Sequence, residues 1–254
     1  MTNKQDELAE NFQEVPPPPD VVTHMSRIVT RVKSQKDPKL THYTPTYLSW
    51  CARLQFYILM MYPKEKLESD DEFSSGWNLF RGDALHHALA RIFKWNELPR
   101  KAQFPIGDGK SVTISGRLDC YQQDEAEILD LKSTKYLSWQ KKSNFLPRRK
   151  DVNQVRIYQL LYRDILPVKK LTLLYADMAE LTTYDIPILK ETETWLRNRI
   201  IEIENAMQTK IPPTADGKTE NTALCSYCAY QTRCHDDPGG ITSKPKSHPV
   251  EELK

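Results

Sequence analysis

The chain has 254 residues, is 39% hydrophobic, and carries 36 Lys and Arg against 34 Asp and Glu. That suits one large domain, or one domain with an appendage, and a mean hydropathy of −0.63 with no long apolar run excludes a membrane-spanning helix. The net charge of +2 is too small to announce nucleic-acid binding by itself. The acidic, polar N-terminus is not a secretory signal, which sets a cytoplasmic expectation.

Residues 1–40 read as a weakly ordered extension, with Pro16–Pro19 favouring an extended segment. The compact fold is expected from near Tyr43. Thr44-Pro45-Thr46 opens a helix that runs to about Met61 and carries Cys51 inside it. A second helix is expected over Gly82–Trp95, with Leu85, Ala88, Leu89, Ile92 and Phe93 as its apolar stripe and His86 at the stripe's edge. Alone, such a histidine is more often a core residue than a ligand.

Strands follow at Arg100–Ile106, Ser111–Tyr121 and Ile128–Lys132, separated by a Gly107-Asp108-Gly109 turn and a polar turn over 122–126. Asp130 and Lys132 stand two apart and share a face, and Asp119 reaches that face from the neighbouring strand. Two facing carboxylates repel unless a cation lies between them, and a lysine beside them suits a developing negative charge. This is the layout of a metal-dependent phosphodiester-cleaving site; the plainer alternative is a hairpin with a solvated charged face. Cys120, beside Asp119, faces the other way and reads as core.

The stretch 131–150 then holds Lys132, Lys135, Lys141, Lys142, Arg148, Arg149 and Lys150 and no acid. Such a segment suits a polyanion, and Tyr136, Trp139 and Phe145 within it suit stacking on unpaired bases. A helix over Asp151–Ile165 places Gln154 and Tyr158 one turn apart on one face. Lys170–Ala176 is a buried strand with Leu181–Ile186 as its antiparallel partner. Leu189–Gln208 is a long amphipathic helix, and residues 236–254 read as a disordered tail.

The five cysteines, an odd count, argue against a disulfide framework. Cys225, Cys228 and Cys234 form CxxCx5C, which points to a metal centre with Cys51 as its fourth ligand. Zinc and a cubane iron–sulfur cluster both accept four thiolates, and ligand number does not choose between them.

Taken together, Cys51, GxxxH (Gly82–His86), GxxD (Gly116–Asp119), DLK (Asp130–Lys132), QxxxY (Gln154–Tyr158) and the CxxCx5C segment occur in an order that resembles the RecB-like branch of the PD-(D/E)XK nucleases. The likeness is to the CRISPR-associated RecB-like exonucleases, and it covers about residues 44–234. It implies an α/β restriction-endonuclease-like core: a mixed central sheet flanked by helices, with a helical iron–sulfur-stapled portion joining the two chain ends. The nuclease domain would cover 41–235.

The resemblance further implies that His86, Asp119, Asp130 and the backbone carbonyl of Leu131 hold Mg²⁺ or Mn²⁺. Lys132 would be the catalytic lysine, and Gln154 and Tyr158 would support the site and contact DNA. Cys51, Cys225, Cys228 and Cys234 would hold a [4Fe–4S] cluster. The implied activity is single-stranded DNA exonucleolysis, 5′ to 3′, with CRISPR integrase proteins as partners. Single-stranded DNA would enter along Lys135, Lys141, Lys142, Arg148 and Arg149.

Three departures from the family pattern stand out: Leu118 in place of proline, Asp130 in place of glutamate, and Ala52 where proline is frequent. The alternative function is a nuclease-inactive DNA-binding adaptor in an integrase or recombination complex.

Overall fold

The computed structural model describes residues 42–65, 72–216, 225 and 228–240, with the helical backbone alone over 72–79. The N-terminal extension expected over 1–40 lies outside the described residues, as does most of the expected C-terminal tail.

Thr44 caps helix α1 (Pro45–Trp50) by accepting a hydrogen bond from the Tyr47 N–H, and Pro45 sits in the first turn, where its missing N–H costs nothing. The single helix expected here is broken. Cys51 is extended, with φ −148° and ψ 131°, and a new helix α2 (Ala52–Leu59) starts after it. The Cys51 carbonyl accepts from the Gln55 N–H, so α2 begins on it. The two halves pack on different partners, which a straight rod could not do. Cys51 thus stands at a corner, not inside a helix.

Helix α3 (Glu72–Ala90) starts earlier and ends sooner than expected. Trp95, taken as its last residue, instead opens strand β1 (Trp95–Gly107), because Trp95 and Asn96 pair across to Tyr121 and Cys120. Strand β2 (Lys110–Gln122) returns antiparallel, and β3 (Glu127–Ser133) turns back on it. Short α4 (Leu137–Lys142) and α5 (Arg149–Tyr162) form the crossover to β4 (Lys170–Ala176), which is parallel to β3. Strand β5 (Leu181–Asp185) pairs antiparallel with β4, and α6 (Thr192–Thr209) and α7 (Gln231–Asp236) follow. The sheet order is β1-β2-β3-β4-β5, a mixed five-stranded sheet with helices on both faces.

The larger core buries Leu48, Phe56, Leu118, Ile128, Tyr158, Leu173 and Ile200 between the sheet and α1, α2, α5 and α6. The opposite face carries a smaller core of Ala90, Cys120, Leu129, Leu131, Leu174 and Ala176 under α3. Residues alternate along β3 between the two, Ile128 to the first and Leu129 and Leu131 to the second. Cys120 is core, as its alternation with Asp119 requires, and burial with the neighbouring Asp119 charge pushes its thiol up to about 12. No helix among the described residues is long and apolar enough to cross a membrane.

The chain remains tied down past Asp236, where the tail was expected to begin. Asp237 accepts a hydrogen bond from the Tyr57 hydroxyl at 2.7 Å, Pro238 accepts from Arg53, and Gly239 accepts from the Ala215 N–H.

Candidate active site and cysteine centre

The β2–β3 ladder holds only from Gln122↔Glu127 to Cys120↔Leu129. Beyond that the strands splay: β3 stays with β4 while β2 stays with β1. The Leu131 N–H therefore has no partner strand on the β2 side. Asp119 takes its place, accepting that N–H on Oδ2 at 2.8 Å. Its other oxygen, Oδ1, faces His86 Nε2 at 3.0 Å. The opening in the ladder is thus what aims Asp119.

Two glycines set the helices close enough. A Cβ on Gly82 would lie 2.6 Å from Ser133 Oγ, so α3 lies hard against the end of β3, and His86 follows one turn later. A Cβ on Gly116 would meet the Pro45 ring and Tyr158 at 2.9 Å, so α1 and α5 both close on β2 just before Asp119. These are the glycines of the GxxxH and GxxD motifs.

Glu97 completes the cluster. Its carboxylate lies 3.2 Å from His86 Nδ1 and 2.5 Å from Arg117 Nε. Among the described residues, the ligand atoms of His86, Glu97 and Asp119 all lie within 4.8 Å of one another. Glu97 was not picked out from the sequence. It falls in a polar stretch before the expected strand, and its φ of 51° breaks the alternation a strand reading would use. The register in which Asn96 faces Cys120 and Leu98 faces Leu118 puts it opposite Asp119, the signal that could have found it.

Asp130 does not join that group of three. It is fully buried, and its Oδ2 lies 2.5 Å from Lys132 Nζ. Neither Asp130 oxygen has an aligned hydrogen bond, so the ion pair is the contact it has. The expected sharing of a face by Asp130 and Lys132 is present. At Leu131 the contact shown is the N–H on Asp119.

The electrostatics follow from this packing. The hydrogen bond to Asp119 raises His86 against the effect of its burial, with help from Glu97. Burial works to raise Asp119, but the His86 hydrogen bond and the Lys132 charge hold it below the usual carboxylate range. Burial pushes Asp130 up to about 7, with Lys132 opposing. Burial alone would lower Lys132, yet Asp130, Asp119 and Asp151 together raise it, so the ammonium stays charged. Tyr158 is buried behind the site; burial and the charges of Asp130 and Asp119 push its hydroxyl up. Gln154 lies beside it and reaches Thr46 Oγ1 at 3.4 Å.

One histidine nitrogen and two carboxylates fit a hard divalent cation, and Mn²⁺ tolerates the imidazole better than Mg²⁺ does. The bonded pairs now present, imidazole on carboxylate, are of the kind such an ion replaces.

The basic segment divides. Arg148 donates from Nη2 to Thr134 Oγ1 at 2.7 Å and Gln140 Oε1 at 3.0 Å, which ties α4 to the start of α5. Lys141 pairs with Glu180 at 3.2 Å. Those two are spent within the fold to that extent, whereas Lys135 and Lys142 are exposed. Tyr136, Trp139 and Phe145 are also exposed around α4.

The cysteines converge at the far end. Burial raises the Cys225 thiol to about 11 and Cys228 to about 12, and in both the neighbouring Cys51 and Cys234 add to the rise. Burial raises Cys51 also, with Asp216 adding to it. Arg53, fully buried on α2, joins the segments: Nε donates to the Pro213 carbonyl at 2.6 Å, and Nη1 to the Cys234 carbonyl at 3.1 Å and to its Sγ at 3.8 Å. Glu65 accepts from the Thr232 and Arg233 N–H groups at 2.8 Å each, fixing the start of α7. These four thiols are the residues that could hold a thiolate-bound metal centre.

No curated protein matches the chain. The crystal structure of SSO0001 superposes with a TM-score of 0.57 at 18% identity, covering 87% of this chain and 98% of that one. An alkaline exonuclease (LHK-Exo) from Laribacter hongkongensis superposes with a TM-score of 0.39 at 12% identity, covering 68% of this chain and 92% of that one. The family model of the PD-(D/E)XK nuclease superfamily matches residues 61–235, a span that includes His86, Glu97, Asp119, Asp130, Lys132 and the CxxCx5C segment. With more than half of its length matched, the chain belongs to the PD-(D/E)XK nuclease superfamily.

Proposed function

We propose that this chain is a metal-dependent DNA exonuclease acting on single strands. The observation that carries the reading is the convergence of His86, Glu97 and Asp119 within 4.8 Å beside the buried Asp130–Lys132 pair. His86, Glu97, Asp119 and Asp130 would hold Mg²⁺ or Mn²⁺, with the Leu131 carbonyl as a further ligand. When bound, such an ion polarises the scissile phosphate and acidifies a water.

The chain's own residues do the rest. Lys132 keeps its charge through Asp130 and Asp119, and offers an ammonium to a phosphate carrying extra negative charge, a preorganised electrostatic role. Asp130 holds Lys132 in place. Asp119 orients His86 and is itself fixed by the Leu131 N–H. Exposed Tyr136, Trp139 and Phe145 favour a single strand, whose unpaired bases can stack on them, and Lys135 and Lys142 favour its backbone. The 5′ to 3′ polarity and the integrase partners implied by the resemblance belong to this proposal.

The four cysteines would hold a [4Fe–4S] cluster as a structural clasp between α2 and α7. Zinc and a cubane cluster both accept four thiolates, and the family resemblance favours the cluster. Brown, anaerobically purified protein with iron and sulfide supports it; colourless protein with one zinc per chain overturns it.

The nuclease reading is tested with end-labelled single-stranded DNA, with and without Mn²⁺. Cleavage should require the ion and vanish in Lys132→Ala, while DNA binding persists. A Lys132→Ala protein that cuts at the wild-type rate would sink the mechanism.

A further inference from the structure

We propose that the cavity beside α3, at the ends of β3 and β4, is a receptor for the terminal phosphate monoester of the nucleic-acid strand. This rests on the nuclease reading and adds to it what the enzyme holds on to.

The cavity encloses about 250 Å³. Its wall brings together Arg81 of α3, Ser133 at the end of β3, Lys135 just past it, Arg148 before α5, and Asp177 after β4. Three cations therefore face one carboxylate, leaving a surplus of two positive charges. The carboxylate is already engaged. Asp177 Oδ2 accepts the Leu137 N–H at 2.9 Å, and Oδ1 accepts those of Ala179 and Glu180 at 2.8 and 2.9 Å.

The cations are not paired off. Lys135 has no carboxylate within ion-pair distance among the described residues; its partial burial lowers its affinity for a proton, and the charge of Arg81, across the same cavity wall, adds to that. Arg148 turns Nη2 to Thr134 and Gln140, but its buried Nε has no hydrogen-bond partner. Like charges gathered around a hollow are unfavourable unless an anion enters it.

The charge selects the anion. A phosphodiester carries one negative charge, whereas a phosphate monoester carries about −1.5 to −2 at neutral pH. Only the second matches the surplus. The size agrees: about 250 Å³ is below the range of roughly 300–1,000 Å³ typical of sites for larger ligands, and suits a phosphate with its sugar.

The place agrees as well. Ser133 follows Lys132 directly, and Gly82 in the cavity wall lies one helical turn, about 5.4 Å, before His86. A strand end seated here would present a nearby phosphodiester to the His86–Asp119 site. A strand without a free end would have nothing to seat. On this account, the preference for ends is built into the charge of the cavity.

The test uses the full chain and four substrates of one sequence: single strands with a 5′-phosphate, a 3′-phosphate or hydroxyls at both ends, and a closed circle. One phosphorylated strand should be cut at least tenfold faster than the hydroxyl-ended one, and the circle slowest of all. The end whose phosphate matters identifies the end that is seated. In Arg81→Ala the phosphate-to-hydroxyl rate ratio should fall to about one, and Arg81→Lys should retain part of it. Equal rates on phosphorylated and hydroxyl ends in the wild type, or an unchanged ratio in Arg81→Ala, overturn the proposal.

Should Arg81→Ala fail to fold, Lys135→Gln takes its place under the same criterion. Binding by the Lys132→Ala protein separates this inference from the catalytic one. A roughly tenfold tighter grip on the phosphorylated strand supports the receptor even if no wild-type cleavage is seen, which would sink only the nuclease reading; equal binding overturns the receptor.

Discussion

Two cations at opposite ends of this molecule, Lys132 and Arg53, are held in opposite ways. Around α3, β2 and β3, acids and bases hold one another: His86 with Asp119 and Glu97, Glu97 with Arg117, Lys132 with Asp130. At the cysteine end, buried Arg53 has no carboxylate within ion-pair distance among the described residues. Backbone carbonyls of Pro213, Cys234 and Pro238 answer it instead, together with the Cys234 sulfur. Side-chain pairs can be exchanged for a metal ion or a phosphate at modest cost, because each partner has an alternative. A guanidinium locked onto backbone carbonyls has none. The first arrangement suits chemistry and the second suits fixation, so mutations at the two ends should fail differently.

The sharpest break is expected at Lys132. Lys132→Ala should lower the cleavage rate by about 10²–10³-fold while the melting temperature changes little beyond what freeing the buried Asp130 costs. The measurement is single-turnover cleavage alongside thermal unfolding. A large melting shift with retained activity would erase the distinction between the two ends.

Arg53→Leu should do the reverse. It strands the buried carbonyls of Pro213 and Cys234 and loosens α7 from α2, costing about 3 kcal/mol. For a chain of this size that is a fall of roughly 6–12 °C in melting temperature. Proteolysis of the C-terminal segment should rise with it, and cleavage per folded molecule should hold.

Glu97→Gln comes next. It removes a carboxylate from the His86–Asp119 cluster, so the Mn²⁺ concentration for half-maximal cleavage should rise about 10–100-fold. An unchanged metal requirement would leave Glu97 as a partner of Arg117 alone.

The smallest effect is that of pH on the metal-free protein. The Asp119 hydrogen bond raises His86, and burial raises Asp130 to about 7. Both groups bind protons more tightly folded than unfolded. Their contribution to stability is therefore complete below their unfolded values, and is lost as pH rises through the folded ones. The melting temperature without metal should decline from about pH 5 to about pH 8, and Mn²⁺ should flatten the decline by taking the proton's place. His86→Ala should remove part of the slope.

Much of this was legible in the chain. The DLK spacing placed Asp130 and Lys132 on one face because strands alternate, whereas the thiolate centre that CxxCx5C suggests belongs to the proposal. The β2–β3 hairpin, the β4–β5 pair and the long C-terminal helix followed from apolar periodicity and turn residues.

The tertiary structure alone decided what depends on interrupted regularity. Cys51 leaves the helix because α1 and α2 pack on different partners, and propensity does not see partners. Glu97 enters the site through a left-handed backbone kink opposite Asp119, where alternation fails. Asp119 is aimed by a ladder that opens after Cys120 and Leu129, and a pairing's end is set by neighbouring strands, not by the residues at the gap. Lys141 spends its charge on Glu180 in the fold, whereas Arg148 ties up one nitrogen on Thr134 and Gln140 and keeps its charge in the cavity wall. Arg81, unremarkable in its helix, meets Lys135 across 54 positions only because Gly82 lets α3 lie against β3. Local periodicity writes the elements into the sequence; which charges end up facing each other is fixed by packing over distances that periodicity does not encode.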